Sequence, residues 1–378
     1  MVQHVLITGG AGFIGSHLAR RFRAGGDTVT VLDALIPQVH GDDPATTSPL
    51  LRALGGVAEV IPGTVTSTDD LRRALEGASV VVHLAAETGT GQSMYEIDRY
   101  TQTNIGGTAK LLDLLANSTH DVRRVVVASS RAIYGEGAYR TEDGRVVYPP
   151  HRNEADLAAG HFDVRMPDEG PLETIATDED AKLHPSSVYG ITKQMQESLV
   201  MTVCPTVGIE PVSLRYQNVY GPGQSLRNPY TGILSIFSTL IRQGTEVNIF
   251  EDGLESRDFV YIDDVVEATF LAATRPEAAG GVFNVGSGTA TTVLEVVDAL
   301  FTAYGTTVPT RISGRYRLGD IRHNVADTRR LRETLGFAAS VPFLDGVRAF
   351  ADWAMREPVE SAAYQQSLDE MVTRKLLR

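Results

Sequence analysis

Seven residues near the start constrain this chain more than any others. Gly9-Gly10-Ala11-Gly12-Phe13-Ile14-Gly15 follows the apolar run His4-Val5-Leu6-Ile7 and leads into a helical pattern from Phe13 to Ala24. A Gly-x-x-Gly-x-x-Gly turn between a strand and a helix lets the backbone approach a ligand closely. A pyrophosphate can then rest on the free N–H groups of the helix start. Glycine also punctuates ordinary turns, so the context matters. Here Val31-Leu32-Asp33 supplies a second strand ending in an acid, placed to accept ribose hydroxyls and to repel a 2′-phosphate. Together these predict a dinucleotide site that favours NAD over NADP. The plainer alternative is a structural turn with a strand-end aspartate.

The rest of the first half supports that context. Val5 to Ile7, Val29 to Leu32, Val57 to Ile61, Val80 to Val82 and Val125 to Val127 read as buried, β-branched strands. Helical spacing separates them at Phe13–Ala24, Asp69–Leu75 and Tyr100–Leu115, and Pro211–Tyr216 follows a helix from about Ser186 to Val203. The alternation predicts an α/β fold: a Rossmann-type doubly wound parallel sheet over residues 1–216. Residues 135–184 are polar and aperiodic, long enough to be a functional flap or an ordered insertion. Residues 217–378 read as a smaller, mostly helical substrate lobe, with helices near 231–243, 263–274, 292–304 and 343–356 and short strands at 247–250 and 282–285. The chain may be expected to cross back between the two parts. The amphipathic tail from Glu357 reads as a terminal helix packed on the body or on a partner.

Charge and cysteine content narrow the partners. Against 34 basic residues stand 47 acidic ones, a net charge of −13, so electrostatic binding to nucleic acid or to an anionic membrane is disfavoured. An anionic substrate needs a few local arginines instead. The single cysteine, Cys204, excludes a disulfide framework and a thiolate zinc site, and the histidines show no ligand spacing, so no metal is expected. There is no signal-peptide pattern and no apolar run near the roughly 20 residues that span a bilayer, which points to the cytoplasm.

Catalytic chemistry is suggested by two segments. Tyr189 and Lys193 stand four apart on a predicted helix, hence on one face. A nearby ammonium stabilises a phenolate and lowers the tyrosine pKa toward the working range. Val127-Ala128-Ser129-Ser130 ends the fifth strand in hydroxyls at the carboxyl edge, where open α/β sheets bind ligands. Ser130 is then placed to hydrogen-bond a substrate alcohol while Tyr189 removes its proton. Read without chemistry, the serines are strand-end caps and Tyr189 is a half-buried aromatic.

With these residues the chain resembles the extended short-chain dehydrogenases/reductases of the nucleotide-sugar epimerase and dehydratase family. Thr8 to Gly15, His83-Leu84-Ala85-Ala86, Asn104 with Gly107-Thr108, Ser129-Ser130 before Ile133-Tyr134-Gly135, the Tyr189/Lys193 pair, Asn218 to Gly223 and Arg257-Asp258-Phe259-Val260 match in order over essentially the whole chain. The resemblance implies that NAD is bound by Gly9, Gly12, Phe13, Ile14, Gly15, Asp33, Thr64, Val65, Leu84, Ala85, Ala86, Asn104, Ser129, Tyr189 and Lys193. It implies contacts to a nucleotide diphosphate sugar from Glu87, Thr88, Ser93, Ser130, Arg131, Asn218, Arg257 and Arg317, and a homodimer through the helices near 101–116 and 187–203. Arg257 and Arg317 match diphosphate positions, the bland alternative being salt bridges with Asp258 or Asp320; for Arg322 both readings stand level, and His83 reads as structural. Thr64 departs from the family, which usually has an aspartate there.

What is missing selects a reaction. Dehydratases of the family follow the catalytic hydroxyl with Asp-Glu, and decarboxylases keep a Glu two residues on. Here Arg131-Ala132 follows Ser130. Elimination needs an acid and a base beyond the tyrosine, whereas oxidation and re-reduction at one carbon do not. A 4-epimerase is therefore expected, unless Glu87 or Glu136 substitutes. Ala86 to Glu96, Pro37 to Gly41 and Gly223-Gln224-Ser225 through Asn228-Pro229-Tyr230-Thr231-Gly232 look like the dTDP-L-rhamnose 4-epimerase branch. That branch often carries a Cys-Pro-x-Cys-like element where this chain has Met166 to Gly170. The default substrate is a dTDP-6-deoxyhexose. A GDP-linked sugar such as a GDP-octose on an antibiotic pathway, a dehydratase or decarboxylase, a reductase consuming NAD(P)H, and a non-catalytic NAD sensor are the competing readings.

Overall fold

Seven β-branched, apolar segments pair in parallel to form the central sheet. In chain order they are β1 (His4–Thr8), β2 (Thr28–Asp33), β3 (Glu59–Pro62), β4 (Val80–His83), β5 (Arg124–Ser130), β6 (Glu210–Tyr216) and β7 (Val282–Val285). Their spatial order is β7-β6-β5-β4-β1-β2-β3 in a computed structural model that describes residues 2–226, 228, 232–359 and 363–378. The order reverses between β1 and β4, so a crevice opens at their carboxyl ends, where such sheets take ligands.

Side chains alternate along each strand and serve two layers. Val5, Ile7, Val31, Val82 and Val126 pack on α1 (Phe13–Ala24) through Leu18 and Phe22. Leu6, Leu32, Val81, Val125 and Val127 face Leu111 and Leu115, together with Val200 and Cys204 of α2 (Val188–Thr206). Each such burial contributes about 1.5–3 kcal/mol relative to exposure, so a one-residue slip of any strand would reverse both layers. The predicted helix at 100–115 is interrupted by a π-helical segment, Thr101–Gly106, before Gly107–Asn117.

Strand 282–285 belongs to the central sheet, paired with β6 from Val282↔Ser213 to Val285↔Tyr216, and α3 (Ile262–Thr274) packs on α1. Both were expected in the lobe; the chain recrosses because β6 still needed a neighbour on its open edge. The smaller lobe combines strands 218–220, 256–261, 290–292 and 323–324 with helices Ile233–Arg242, Val293–Tyr304 and Phe343–Ala354. Leu234, Phe237, Val296, Leu300 and Phe350 form its core. Of the segment expected near its first helix, Pro229, Tyr230 and Thr231 lie outside the described residues.

The 135–184 segment is an ordered insertion with three short antiparallel strands, 139–140, 146–147 and 173–174. Buried Arg152 pins it to the lobe, bonding both carboxylate oxygens of Glu251 at 2.8 and 2.9 Å. The tail forms α4 (Ala363–Thr373). Among the described residues, no helix is long and apolar enough to cross a membrane.

Candidate active site

The glycine turn is built by close packing. Gly9 has φ +69°, and a Cβ there would lie 2.9 Å from the Ala85 nitrogen; one on Gly15 would lie 2.5 Å from the Gly10 Cα. Helix α1 therefore starts against the turn, with Gly12 as an N-cap that offers no side-chain hydrogen bond. The first N–H groups of a helix seek an acceptor, and an anion supplies one. Asp33 closes the turn: Oδ2 accepts the Ala11 N–H at 3.0 Å and Oδ1 accepts the Leu35 N–H at 2.9 Å. A carboxylate has about four lone-pair positions, so each oxygen can still accept a ribose hydroxyl.

A cavity of about 620 Å³ runs from this turn along the carboxyl edge of the sheet and under the lobe. Its wall holds buried polar atoms with no hydrogen-bond partner: Ser129 Oγ, Asn218 Oδ1, Gln224 Oε1, Asn248 Oδ1 and Glu255 Oε2. Buried polar groups are nearly always paired, so this wall is shaped for a polar ligand. With the glycine cradle and Asp33, it fits a dinucleotide at one end and a second polar ligand at the other.

Between those ends stand Ser130, Tyr189 and Arg131. All three line the cavity, and Ser130 Oγ accepts the Ala132 N–H at 3.2 Å. Burial pushes the Tyr189 phenol above its usual pKa, while Ser130 and the charge of Arg131 pull it down. Lys193 is buried and its ammonium is pushed down to about 7 by desolvation, with Glu197 opposing. The ammonium donates to Gln196 Oε1 at 2.7 Å, and Gln196 in turn donates to Thr108 Oγ1 at 2.9 Å. The phenol is thus perturbed by burial, Ser130 and Arg131, while the Lys193 ammonium is engaged by Gln196.

Arg131 and Arg257 both line the cavity, and burial and the charge of Arg257 hold the Arg131 guanidinium below the usual range, with Asp320 acting the other way. Two arginines in one cavity are relieved by an anion bound there. Arg257 is fixed by the carbonyls of Ser256, Arg322 and Ile321 at 2.8, 3.0 and 2.7 Å. Asp258 does not pair with it, since that carboxylate accepts the Ser287, Gly288 and Ala326 N–H groups. Arg317 lines the cavity with its Nε on Asp320 at 2.8 Å. Arg322 is buried among Asp163, Glu251 and Asp252 and does not reach the cavity, so its role is structural.

The profile of the NAD dependent epimerase/dehydratase family matches residues 5–155 and 166–286. The chain belongs to this family. It is similar to a dTDP-L-rhamnose 4-epimerase of Burkholderia thailandensis, with 38% identity over 94% of this chain and 96% of the relative. A dTDP-glucose 4,6-dehydratase of Streptomyces griseus is 30% identical over 93% of this chain and 94% of its own. Among solved structures, the UDP-glucuronic acid 4-epimerase of Bacillus cereus, in complex with UDP-glucuronic acid and NAD, superposes with a TM-score of 0.75 at 26% identity, covering 93% of this chain and 99% of that one.

Within this family site, all the residues expected at the cavity line it except two. Asn104 is fully buried and pins the Glu87 loop to α2: Oδ1 accepts the Glu87 N–H at 2.7 Å, and Nδ2 donates to the Glu87 carbonyl at 3.1 Å and to Thr192 Oγ1 at 2.9 Å. Ser93 is also fully buried, and its Oγ accepts the Tyr189 N–H at 3.0 Å. Both side chains are spent on holding the framework. Thr64 lines the cavity and shares its hydroxyl with Thr66 at 2.9 Å, while Asp70 accepts its N–H at 3.1 Å.

The two candidate substitute acids differ. Glu136 is buried away from the cavity, with Oε2 on the Arg322 N–H at 2.7 Å and burial pushing its pKa up to about 7. Glu87 does line the cavity, paired with Arg99 at 2.6 Å. His83 is fully buried between Thr8 Oγ1 at 2.8 Å and Thr108 Oγ1 at 2.9 Å. The described residues contain no group of His, Cys, Asp and Glu that could hold a metal ion. Gln224, Glu255, Leu368 and Met371 line the cavity without having been expected there. Only their place in the folded chain reveals them.

Proposed function

We propose that this chain is an NAD-dependent nucleotide-sugar 4-epimerase acting on a dTDP-6-deoxyhexose such as dTDP-L-rhamnose. The observation that carries the choice is the turn after β5, where Ser130 is followed by Arg131 and Ala132 and Glu136 is directed into the Arg152–Arg322 network. Relatives include both epimerases and a dehydratase, so family alone does not decide. A site with a hydroxyl, a phenol and cations, whose cavity-lining candidate acid Glu87 is tied to Arg99, suits redox at one carbon better than elimination.

Bound NAD supplies the hydride acceptor and the later donor. Tyr189 takes the proton of the sugar 4-hydroxyl as the carbon is oxidised and returns it when the ketone is reduced. Ser130 holds the same oxygen by hydrogen bonding. Arg131, Arg257 and Arg317 grip the diphosphate, so binding energy from that remote group retains the 4-keto sugar while its ring turns over. Lys193 and Asp33 hold the ribose ends of the cofactor. Net redox is zero.

A cytoplasmic homodimer belongs to the same reading. Exposed Ile191 and Met195, four apart on α2, supply apolar surface on one of the elements expected to pair. Sedimentation of the wild type and of Ile191→Asp tests it: a dimer that becomes a monomer supports the pairing, and a monomeric wild type overturns it.

For the reaction, proton NMR and mass spectrometry with dTDP-, UDP- and GDP-sugars are decisive. A product of equal mass with inverted coupling at the 4-position is expected, and lost on Tyr189→Phe. Loss of water or carbon dioxide from any of the sugars overturns the proposal.

A further inference from the structure

The end of the chain returns to the cavity. Tyr316 and Arg378 exchange backbone hydrogen bonds, N–H to carbonyl, at 2.9 and 3.0 Å, and the Leu318 N–H donates to the Leu376 carbonyl at 3.0 Å. This bridges Leu377 to Arg317 in antiparallel fashion. Leu368, Met371 and Leu377 are buried together with Phe250 against them. At its other side α4 meets the short helix Thr90–Ser93 and the turn that follows it. The Tyr95 hydroxyl donates to Glu370 Oε2 at 3.2 Å, and the Arg374 guanidinium lies 4.2 Å above the Tyr95 ring. The Met371 sulfur lies 3.3 Å from where a Cβ on Gly91 would stand.

These ties set two tail residues in the cavity wall. Leu368 and Met371 both line it, alongside Gly91, Phe250 and Arg317. Gly91 belongs to the short helix Thr90–Ser93, whose Ser93 hydroxyl accepts the Tyr189 N–H. Met371 therefore borders the cavity beside the short helix that is hydrogen-bonded to the Tyr189 N–H, and shares the lining with Arg317, one of the arginines that would hold a diphosphate. An isobutyl and a thioether group offer no strong donor or acceptor. A hydroxyl pressed against them loses its water and gains nothing, whereas a methyl group gains burial.

We infer that Leu368 and Met371 form the apolar wall of the sugar subsite and select a hexose that presents a methyl rather than a hydroxymethyl group there. The inference rests on the nucleotide-sugar reading above. It assigns the tail a part in specificity that the matched family segment, which ends at residue 286, does not contain.

Binding tests it without turnover. In protein carrying ¹³C-methyl methionine, seven methionine signals are present and Met371→Leu identifies one of them. Titration with dTDP-L-rhamnose should shift the Met371 methyl signal and give a cross-relaxation peak to the sugar C6 methyl, while dTDP alone should leave it in place. In Leu368→Ala and Met371→Ala, affinity for dTDP-L-rhamnose should fall about tenfold relative to dTDP-glucose. Retained dTDP affinity shows that these variants are folded. A Met371 signal that moves equally with dTDP, or variants that keep the wild-type preference between the two sugars, would overturn the inference. Failure of the epimerase reading is separate, because it appears as a wild type that binds but inverts no sugar.

Discussion

The Ser93 hydroxyl accepts the backbone N–H of Tyr189 at 3.0 Å, so a residue outside the cavity holds the first turn of the helix that carries the phenol proposed as the proton acceptor. Ser93→Ala removes that acceptor. With a hydrogen bond contributing about 0.5–1.5 kcal/mol, kcat should fall about 2- to 12-fold while KM for the nucleotide sugar stays near wild type. Steady-state kinetics separates the two. A rise in KM alone would instead make Ser93 a substrate contact.

Gly15 tests how tightly the cofactor turn is packed. A Cβ there would fall 2.5 Å from the Gly10 Cα and 2.6 Å from the Gly9 carbonyl oxygen, and backbone cannot yield as a flexible side chain does. Gly15→Ala should weaken NAD binding by at least about tenfold, since the helix start must shift away from the turn. Calorimetric titration with NAD measures it, and unchanged affinity would show that the close approach is dispensable.

Arg131 and Arg257 repel each other in the ligand-free cavity. Arg131→Gln removes one charge from the anion site, so KM for the nucleotide sugar should rise about 10- to 100-fold, a loss typical of charge-assisted hydrogen bonds. The same change should stabilise the ligand-free protein, because it ends the repulsion. Kinetics and a thermal melt check both signs; an unchanged KM would remove Arg131 from the anion site.

Most of the sheet was legible because strands buried on both faces are written as β-branched runs, such as Val80-Val81-Val82. The site motifs were legible for the same local reason: glycine turn, strand-end serines and the Tyr189/Lys193 pair each lie within a few residues. Direction was harder. Asn104 and Ser93 belong to the right segments, yet spacing does not tell whether a polar side chain faces a ligand or a neighbouring backbone. Strand β7 was misplaced because sequence order is silent on which open sheet edge a late strand fills. Leu368 and Met371 reach the cavity only through backbone pairing at Arg317, which leaves no pattern in either segment.

Three histidines, His83 buried and His17 and His323 half-buried, link stability to pH. Burial lowers His17 to about 4, His83 to about 3 and His323 to about 4, each below the ordinary 6.5. Between those values and about pH 6.5 each of these rings takes up a proton on unfolding, a share of stability that grows as pH rises. Glu136 and Glu255, raised to about 7 by burial, act with the opposite sign between about pH 4.5 and 7, so the histidine share is read by comparing variants. Denaturant unfolding of the wild type and of His83→Gln, followed from about pH 7.5 to about pH 4.5, should show a smaller gain of stability with pH in the variant. An identical pH dependence in the two proteins would contradict the neutral, buried state of the His83 ring.

Epimerisation as proposed requires hydride to leave carbon 4 and return to the same carbon from the other side. The most direct measurement uses dTDP-L-rhamnose labelled with deuterium at carbon 4, incubated with the protein and NAD in ordinary water and followed by NMR and mass spectrometry. The expected product is an epimer inverted at carbon 4 that keeps its deuterium, with unchanged mass and no exchange at carbons 3 or 5. Loss of the label to solvent, exchange at a neighbouring carbon, or a product lighter by one water would contradict it.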